Sequence, residues 1–226
     1  MSRNIGTDRA PETSLCKQLS RGPVIYSSVA LVLANFYILF GVIALDWDVF
    51  PLMFLFWCES VIIGIYNVAK LVVVKPWDFS TLVEKILSVP FFVVHYGGFQ
   101  AFHGLFVITV FAGDIYPDYR GYFPDPVMVG VILNEEGLWV AVAVLLFSHG
   151  VSFLRHFIGQ REFERTSVRA LWFAPYGRVI IMHITILACG FLLDSYGSPI
   201  PGLVMLVVLK TCLDLWAHLR ERCKLA

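Results

Sequence analysis

The chain has 226 residues, 58% of them hydrophobic and 15% charged, whereas soluble domains carry about 45–50% apolar and about 25% charged residues. Its 17 basic and 17 acidic residues give a formal net charge of zero, so the composition supplies no basic surface and no nucleic-acid partner is expected. Five cysteines without a CxxC pair indicate reduced thiols and no disulfide framework.

Apolar blocks long enough to cross a bilayer, about 20 residues each, follow one another along the chain. They predict an all-α, polytopic transmembrane helical bundle with six transmembrane helices. A polar leader at 1–21 precedes this domain at 22–222, and a short tail at 223–226 ends the chain. The predicted spans are 24–45, 51–74, 86–112, 138–158, 179–193 and 203–219.

The loops between these spans differ in charge. The basic residues gather in the leader, between the second and third spans, in the loop 159–178 and at the C-terminus, whereas Arg120 stands alone in the loop 113–137. Because cytoplasmic loops are enriched in Lys and Arg, both termini are predicted to be cytoplasmic. Within the loop 113–137, residues 127–133 are predicted to form a short interfacial helix.

Ionisable residues inside the spans are functional hypotheses, since burying them in a bilayer costs about 2.5–3.5 kcal/mol each. All six histidines lie in the spans or at their ends. Imidazole and carboxylate are the usual ligands of zinc and of non-haem iron. A transition-metal site that acts on a lipid or another hydrophobic substrate is therefore predicted, with ligands His95, His149, His183, Asp214 and His218.

A second polar site is predicted from the other intramembrane polar residues, Glu59, His103, Asn67 and Lys210. Lys210, Asp214 and His218 are spaced i, i+4, i+8 and so share one face of the last helix. Lys210 would then neutralise Asp214 or a substrate anion. Arg178, just before the fifth span, is interpreted as reaching the lipid headgroups, with a substrate anchor as the alternative.

Several alternatives remain open at this point. Haem b, held by His95 and His149, is a less favoured cofactor than zinc or iron. The same polar residues would also suit a proton- or ion-coupled transporter. A third reading is a structural subunit, in a homo-oligomer or a larger membrane complex, whose polar core specifies packing. No HExxH or GxSG motif decides between an enzyme and these alternatives.

Several segments together resemble a family of small multi-pass prokaryotic membrane proteins that is described as a domain of unknown function. They begin at Trp57, His95, Ser148, Pro175 and Leu209, and read WCESVIIGIYNVAKL, HYGGFQAFHGLFV, SHGVSF, PYGRVIIMH and LKTCLDLWAHLRE. The resemblance covers about residues 50–222 and implies a helical membrane bundle in a prokaryotic cytoplasmic (inner) membrane. The chain differs from the family pattern at Cys58, where a small residue such as alanine is expected, and at Ser60, where asparagine is expected. The resemblance implies no activity or cofactor.

Overall fold

The computed structural model describes residues 40, 48–112, 114–196, 204–205, 207–209 and 211–212. The chain divides into two compact units, residues 1–46 with 207–226, and residues 47–206. The described residues contain helices and turns and no strand. The leader and most of the predicted first and sixth spans lie outside the described residues, so those predictions stay untested.

The second unit is built from helices joined by turns and loops. Four segments are long and apolar enough to cross a membrane: Val49–Val73, Phe79–Phe111, Trp139–Ile158 and Val168–Ala188. They correspond to the predicted second, third, fourth and fifth spans. The helices are α1 (Val49–Val73), α2 (Phe79–Phe111), α3 (Pro126–Glu135), α4 (Trp139–Ser152, continued by a π-helical segment over Phe153–Ile158), α5 (Val168–Phe173) and α6 (Tyr176–Tyr196).

Helix α2 begins seven residues before the predicted start at 86. The Asp78 side chain caps it by accepting a hydrogen bond from the backbone N–H of Thr81 at 2.8 Å, which satisfies a donor of the first turn. The helix then continues through Pro90 for 33 residues, a length of about 50 Å. Since a hydrocarbon core is about 30 Å thick, α2 is more than long enough to cross a bilayer.

The corner between α1 and α2 is held by Lys85, which is 8% exposed. Its ammonium group donates to the carbonyls of Val72, at 3.2 Å, and Val74, and lies 4.5 Å from the centre of the Trp77 ring. A cation at the C-terminal end of a helix offsets the partial negative charge of its last carbonyls. Lys85 therefore fixes the end of α1 against the beginning of α2.

Two glycines let α1 and α2 approach closely. Gly64 lies directly against the ring of Tyr96, whose hydroxyl donates to the Ser60 carbonyl at 2.8 Å. A Cβ atom at Gly104 would lie 2.8 Å from Cε2 of Trp57. Side chains at either glycine would separate these helices.

Helix α3 forms within the long loop, as predicted for residues 127–133. Asp125 accepts hydrogen bonds from the backbone N–H groups of Val127 and Met128, and Pro126 occupies the first helical position. The helix ends at Glu135 and is followed, after the C-cap Glu136, by Gly137, whose φ is +65°. The next residue, Leu138, donates to the carbonyl of Leu133, which completes a Schellman cap.

Candidate functional site

The carboxylate of Glu59, about midway along α1, lies between two basic side chains. Its Oε2 is 3.1 Å from Nη1 of Arg178 and its Oε1 is 3.8 Å from Nε2 of His149. The side chains of Glu59, Arg178 and His149 are 13%, 25% and 29% exposed. A charge this far from water is costly unless an opposite charge lies beside it, and here Arg178 supplies that charge.

Contacts between α1 and α4 set the position of His149. Seven residues beyond Glu59, the hydroxyl of Tyr66 donates to the carbonyl of Leu146 at 2.9 Å. The Tyr66 ring lies 6.3 Å from the His149 ring. Gly150 leaves space for this tyrosine, since a Cβ atom there would lie 2.8 Å from the Tyr66 hydroxyl. Tyr66 therefore holds α4 in the register that brings His149 to Glu59.

An interruption between α5 and α6 sets the position of Arg178. Helix α5 ends at Phe173 and α6 begins at Tyr176, because Pro175 has no N–H with which to continue the helical hydrogen bonding. The backbone N–H of Arg178 donates to the Pro175 carbonyl at 3.1 Å, within the first turn of α6. Arg178 thus pairs with a carboxylate midway along α1, whereas its contact with lipid headgroups stays a prediction.

A second polar pair lies on α2 and α6. Nδ1 of His95 and the hydroxyl of Tyr176 are 2.7 Å apart, and either atom is the donor, depending on the imidazole tautomer. Aromatic rings surround the imidazole, with Phe91 stacked at 5.3 Å and Trp172 at 5.8 Å. Because Tyr176 precedes Arg178 by two residues, both polar pairs lie at the beginning of α6.

A third histidine, His103, lies deeper in the protein. It is 2% exposed, and neither ring nitrogen has a hydrogen-bond partner among the described residues. Its ring centre is 5.7 Å from that of His183 on α6. The amide group of Gln100, three residues earlier on α2, also lacks a partner among the described residues. Buried polar groups of this kind cost about 1–3 kcal/mol each.

The predicted metal ligands do not converge within the described part of the chain. His95 contacts Tyr176, His149 contacts Glu59, and His183 contacts His103. The described residues contain no group of three or more His, Cys, Asp or Glu side chains that could hold a metal ion. Asp214 and His218 lie outside the described residues, so the complete ligand set remains a prediction.

The residues of the predicted second polar site have separate contacts. Glu59 pairs with Arg178, and His103 lies against His183. Asn67, which is about 12 Å further along α1 than Glu59, donates to the Leu171 carbonyl at 3.0 Å and so ties α1 to α5. The fourth member, Lys210, lies outside the described residues.

Sequence reasoning missed Tyr176 and Arg178 as site residues. It began the fifth span at 179 and therefore placed both of them in a loop. The signal was present in the apolar run before Pro175, since a window from Val168 to Ala188 has the hydropathy of a membrane span. That window places Arg178 near its centre, where an unpaired charge would be costly.

Comparisons with known proteins give a family and no activity. No curated protein and no solved structure matches the chain. The model of a family of unknown function, DUF6498, matches residues 18–225, which is nearly the whole chain and includes every polar pair described above. The segments from Trp57 to Leu209 had implied a family of this kind. The chain therefore belongs to the family of unknown function DUF6498.

Proposed function

We propose that the protein is a small proton-coupled transporter of the cytoplasmic membrane, with Glu59, His149 and Arg178 as its proton-binding site. The observation that carries this proposal is the carboxylate of Glu59, shared between Arg178 at 3.1 Å and His149 at 3.8 Å. Carboxylate and imidazole both exchange protons, whereas a guanidinium group keeps its charge. The site therefore combines two proton acceptors with one fixed positive charge.

This combination supports proton and anion symport. When Glu59 is ionised, it neutralises Arg178. When Glu59 takes up a proton, the guanidinium needs another anion, and a small anionic cargo supplies it. Proton and anion then bind together, and neither is stabilised without the other. Interrupted helices beside a polar site, such as the α5–α6 pair, are common at substrate sites of transporters.

The proposed topology has six spans with both termini in the cytoplasm. It follows from the basic residues of the loops and from the four apolar helical segments of the second unit. Cysteines introduced at Asp118 and Gln160 are expected to react with an impermeant maleimide from opposite sides of the membrane. Labelling of both from one side would refute this topology.

Infrared spectroscopy tests proton binding without knowledge of the cargo. On acidification of the reconstituted protein, we expect a protonated-carboxyl band that is absent in Glu59→Gln. The matched control is Glu162→Gln, which removes an exposed carboxylate in the 3-10 turn Glu162–Glu164 and should leave the band intact. A band that is unchanged in Glu59→Gln would exclude Glu59 as the proton acceptor.

Flux measurements test the coupling. Proteoliposomes that contain a pH-sensitive dye are given a panel of small organic anions, and at least one anion is expected to acidify the interior. This acidification should be lost in Glu59→Gln and kept in Glu162→Gln. If the anions acidify both variants equally, Glu59 does not couple protons to transport.

A metal centre acting on a hydrophobic substrate has less support than proton coupling. Each described histidine of the predicted ligand set contacts a protein side chain of its own. Metal analysis of the purified full chain tests the remaining possibility that Asp214 and His218 complete a site. Stoichiometric zinc or iron, lost on replacing His149, would favour the metal centre over the proton site.

A further inference from the structure

A groove of about 380 Å³ lies between the first half of α2 and the short helix α5. Its walls combine two charged residues with several aromatic and aliphatic ones: Glu84, Leu87, Ser88, Phe91, Val168, Arg169, Trp172 and Phe173. None of these residues belongs to the proton-binding site proposed above. Phe91 and Trp172 stack at 5.9 Å and form the wall that separates the groove from His95.

The groove is polar at one end and apolar at the other. Glu84 is the sixth residue of α2 and Arg169 the second residue of α5, so both charges lie where these helices begin. The aromatic residues follow further along the same helices. Both side chains are exposed. Within the described part of the chain, neither Glu84 nor Arg169 forms an ion pair.

The apolar end is open along its length. Leu87, Phe91 and Phe173 are 68%, 57% and 57% exposed. In a bilayer, exposed apolar side chains of this kind contact acyl chains. The distinguishing feature here is that the apolar surface is concave and leads to one positive and one negative charge.

We propose that this groove binds a phospholipid with an ethanolamine headgroup. Arg169 binds the phosphate, because a guanidinium group matches phosphate oxygens with two parallel hydrogen bonds. Glu84 accepts hydrogen bonds from the primary ammonium group, and an acyl chain lies along Phe91, Trp172 and Phe173. The proposal depends on membrane insertion but not on proton coupling at Glu59.

The charges also specify which headgroups bind poorly. A choline headgroup carries a positive charge but has no N–H to donate to Glu84. A glycerol headgroup has no ammonium group to face Glu84, so the lipid keeps a net negative charge that the Glu84 carboxylate repels. Each lost hydrogen bond between charged groups corresponds to about a tenfold lower affinity. The expected order of retention is ethanolamine first, with choline and glycerol headgroups about tenfold weaker.

Native mass spectrometry of the full chain, released from nanodiscs with equal amounts of the three lipids, tests this order. Arg169→Gln should lower retention of all three lipids, since each has a phosphate. Glu84→Gln should remove the preference for ethanolamine over glycerol headgroups. Glu162→Gln, which removes an exposed carboxylate outside the groove, should retain the wild-type order.

A second measurement needs no charge variant. Lipids with brominated acyl chains quench nearby tryptophans, and the contribution of Trp172 is the difference between the wild type and Trp172→Phe. Brominated ethanolamine lipid should quench this contribution at lower mole fraction than the glycerol lipid. Equal quenching, equal retention of the three lipids by the wild type, unchanged retention in Arg169→Gln, or an unchanged order in Glu84→Gln would overturn the proposal.

Discussion

The pair formed by Glu59 and Arg178 predicts an unequal response to two neutralising substitutions. At 3.1 Å, and with an effective dielectric constant of about 20, the attraction between the charges is about 5 kcal/mol. Both side chains are mostly buried, at 13% and 25% exposure, and removing one partner of such a pair typically costs about 3–5 kcal/mol. This range is the expected loss in the free energy of unfolding for Glu59→Gln.

The two substitutions differ because the remaining groups differ. After Arg178→Gln, Glu59 can lower the cost by taking up a proton, and His149 is nearby to share it. After Glu59→Gln, the guanidinium group cannot lose its charge at any accessible pH. We therefore expect Glu59→Gln to destabilise the protein by about 3 kcal/mol, and Arg178→Gln by about half as much.

Unfolding in mixed micelles with increasing SDS, followed by tryptophan fluorescence, measures these differences. The double variant should be more stable than the sum of the single effects predicts, by at least 1 kcal/mol, since it leaves no unpaired charge. The control is the ion pair of Lys75 and Glu164, at a similar distance of 3.0 Å but with side chains 49% and 35% exposed. Exposed pairs contribute about 0–1 kcal/mol, so neutralising either partner of the control pair should change the free energy of unfolding by no more than that.

The outcome that refutes this reasoning is specific. Equal destabilisation by the two single substitutions would mean that Glu59 does not take up a proton when Arg178 is removed. Additive effects in the double variant would mean that the pair is not coupled. Either result would also weaken the proton-binding proposal, since that proposal needs Glu59 to change its charge beside Arg178.

Three further predictions concern other parts of the second unit. Replacing His103 by leucine removes a buried imidazole that has no hydrogen-bond partner among the described residues, so stability should rise by about 1 kcal/mol. A lower melting temperature in His103→Leu would show instead that the imidazole makes a stabilising hydrogen bond. The Tyr116 hydroxyl donates to Oε1 of Glu136 at 2.8 Å. Tyr116→Phe should therefore lower the free energy of unfolding by about 1.5–3 kcal/mol, and an unchanged free energy would show that this hydrogen bond contributes little. The hydrogen bond from Lys75 holds the pKa of Glu164 below its usual value. The stabilisation from this bond should therefore be complete above the unfolded-state pKa of Glu164 and lost as pH falls through the folded-state pKa. Carboxyl NMR titration should show the pKa of Glu164 return towards normal in Lys75→Met, and an unchanged pKa would contradict Lys75 as the cause.

The four helical segments of the second unit that are long and apolar enough to cross a membrane were predictable, because apolar length is a local property of the chain. The beginning of α2 was not placed correctly, although Asp78 and Thr81 have the spacing of a helix cap. Apolar length placed the beginning at residue 86, because the first turns of α2 carry polar side chains at Ser80, Thr81, Glu84 and Lys85. The contact of Lys85 with the end of α1 depends on the folded corner and has no local signature.

The pairing of the polar side chains was not predictable from the sequence. Periodicity assigns a residue to a face of its helix, but it does not identify the helix that lies opposite. Asn67 and Leu171 are 104 positions apart, and His95 and Tyr176 are 81 apart. Grouping the histidines by composition therefore joined residues that have separate partners. Glu59 was recognised as unusual, but its partner Arg178 was assigned to the lipid surface.

The contact between Gly64 and Tyr96 limits how related sequences can vary. The ring of Tyr96 occupies the space where any side chain at position 64 would begin, and its hydroxyl is bonded one turn away to Ser60. An alanine at 64 is compatible with this packing only if the residue at 96 becomes smaller or turns away. Among members of the family, the residues at these two positions should therefore be correlated, with a large ring at 96 found only opposite glycine at 64.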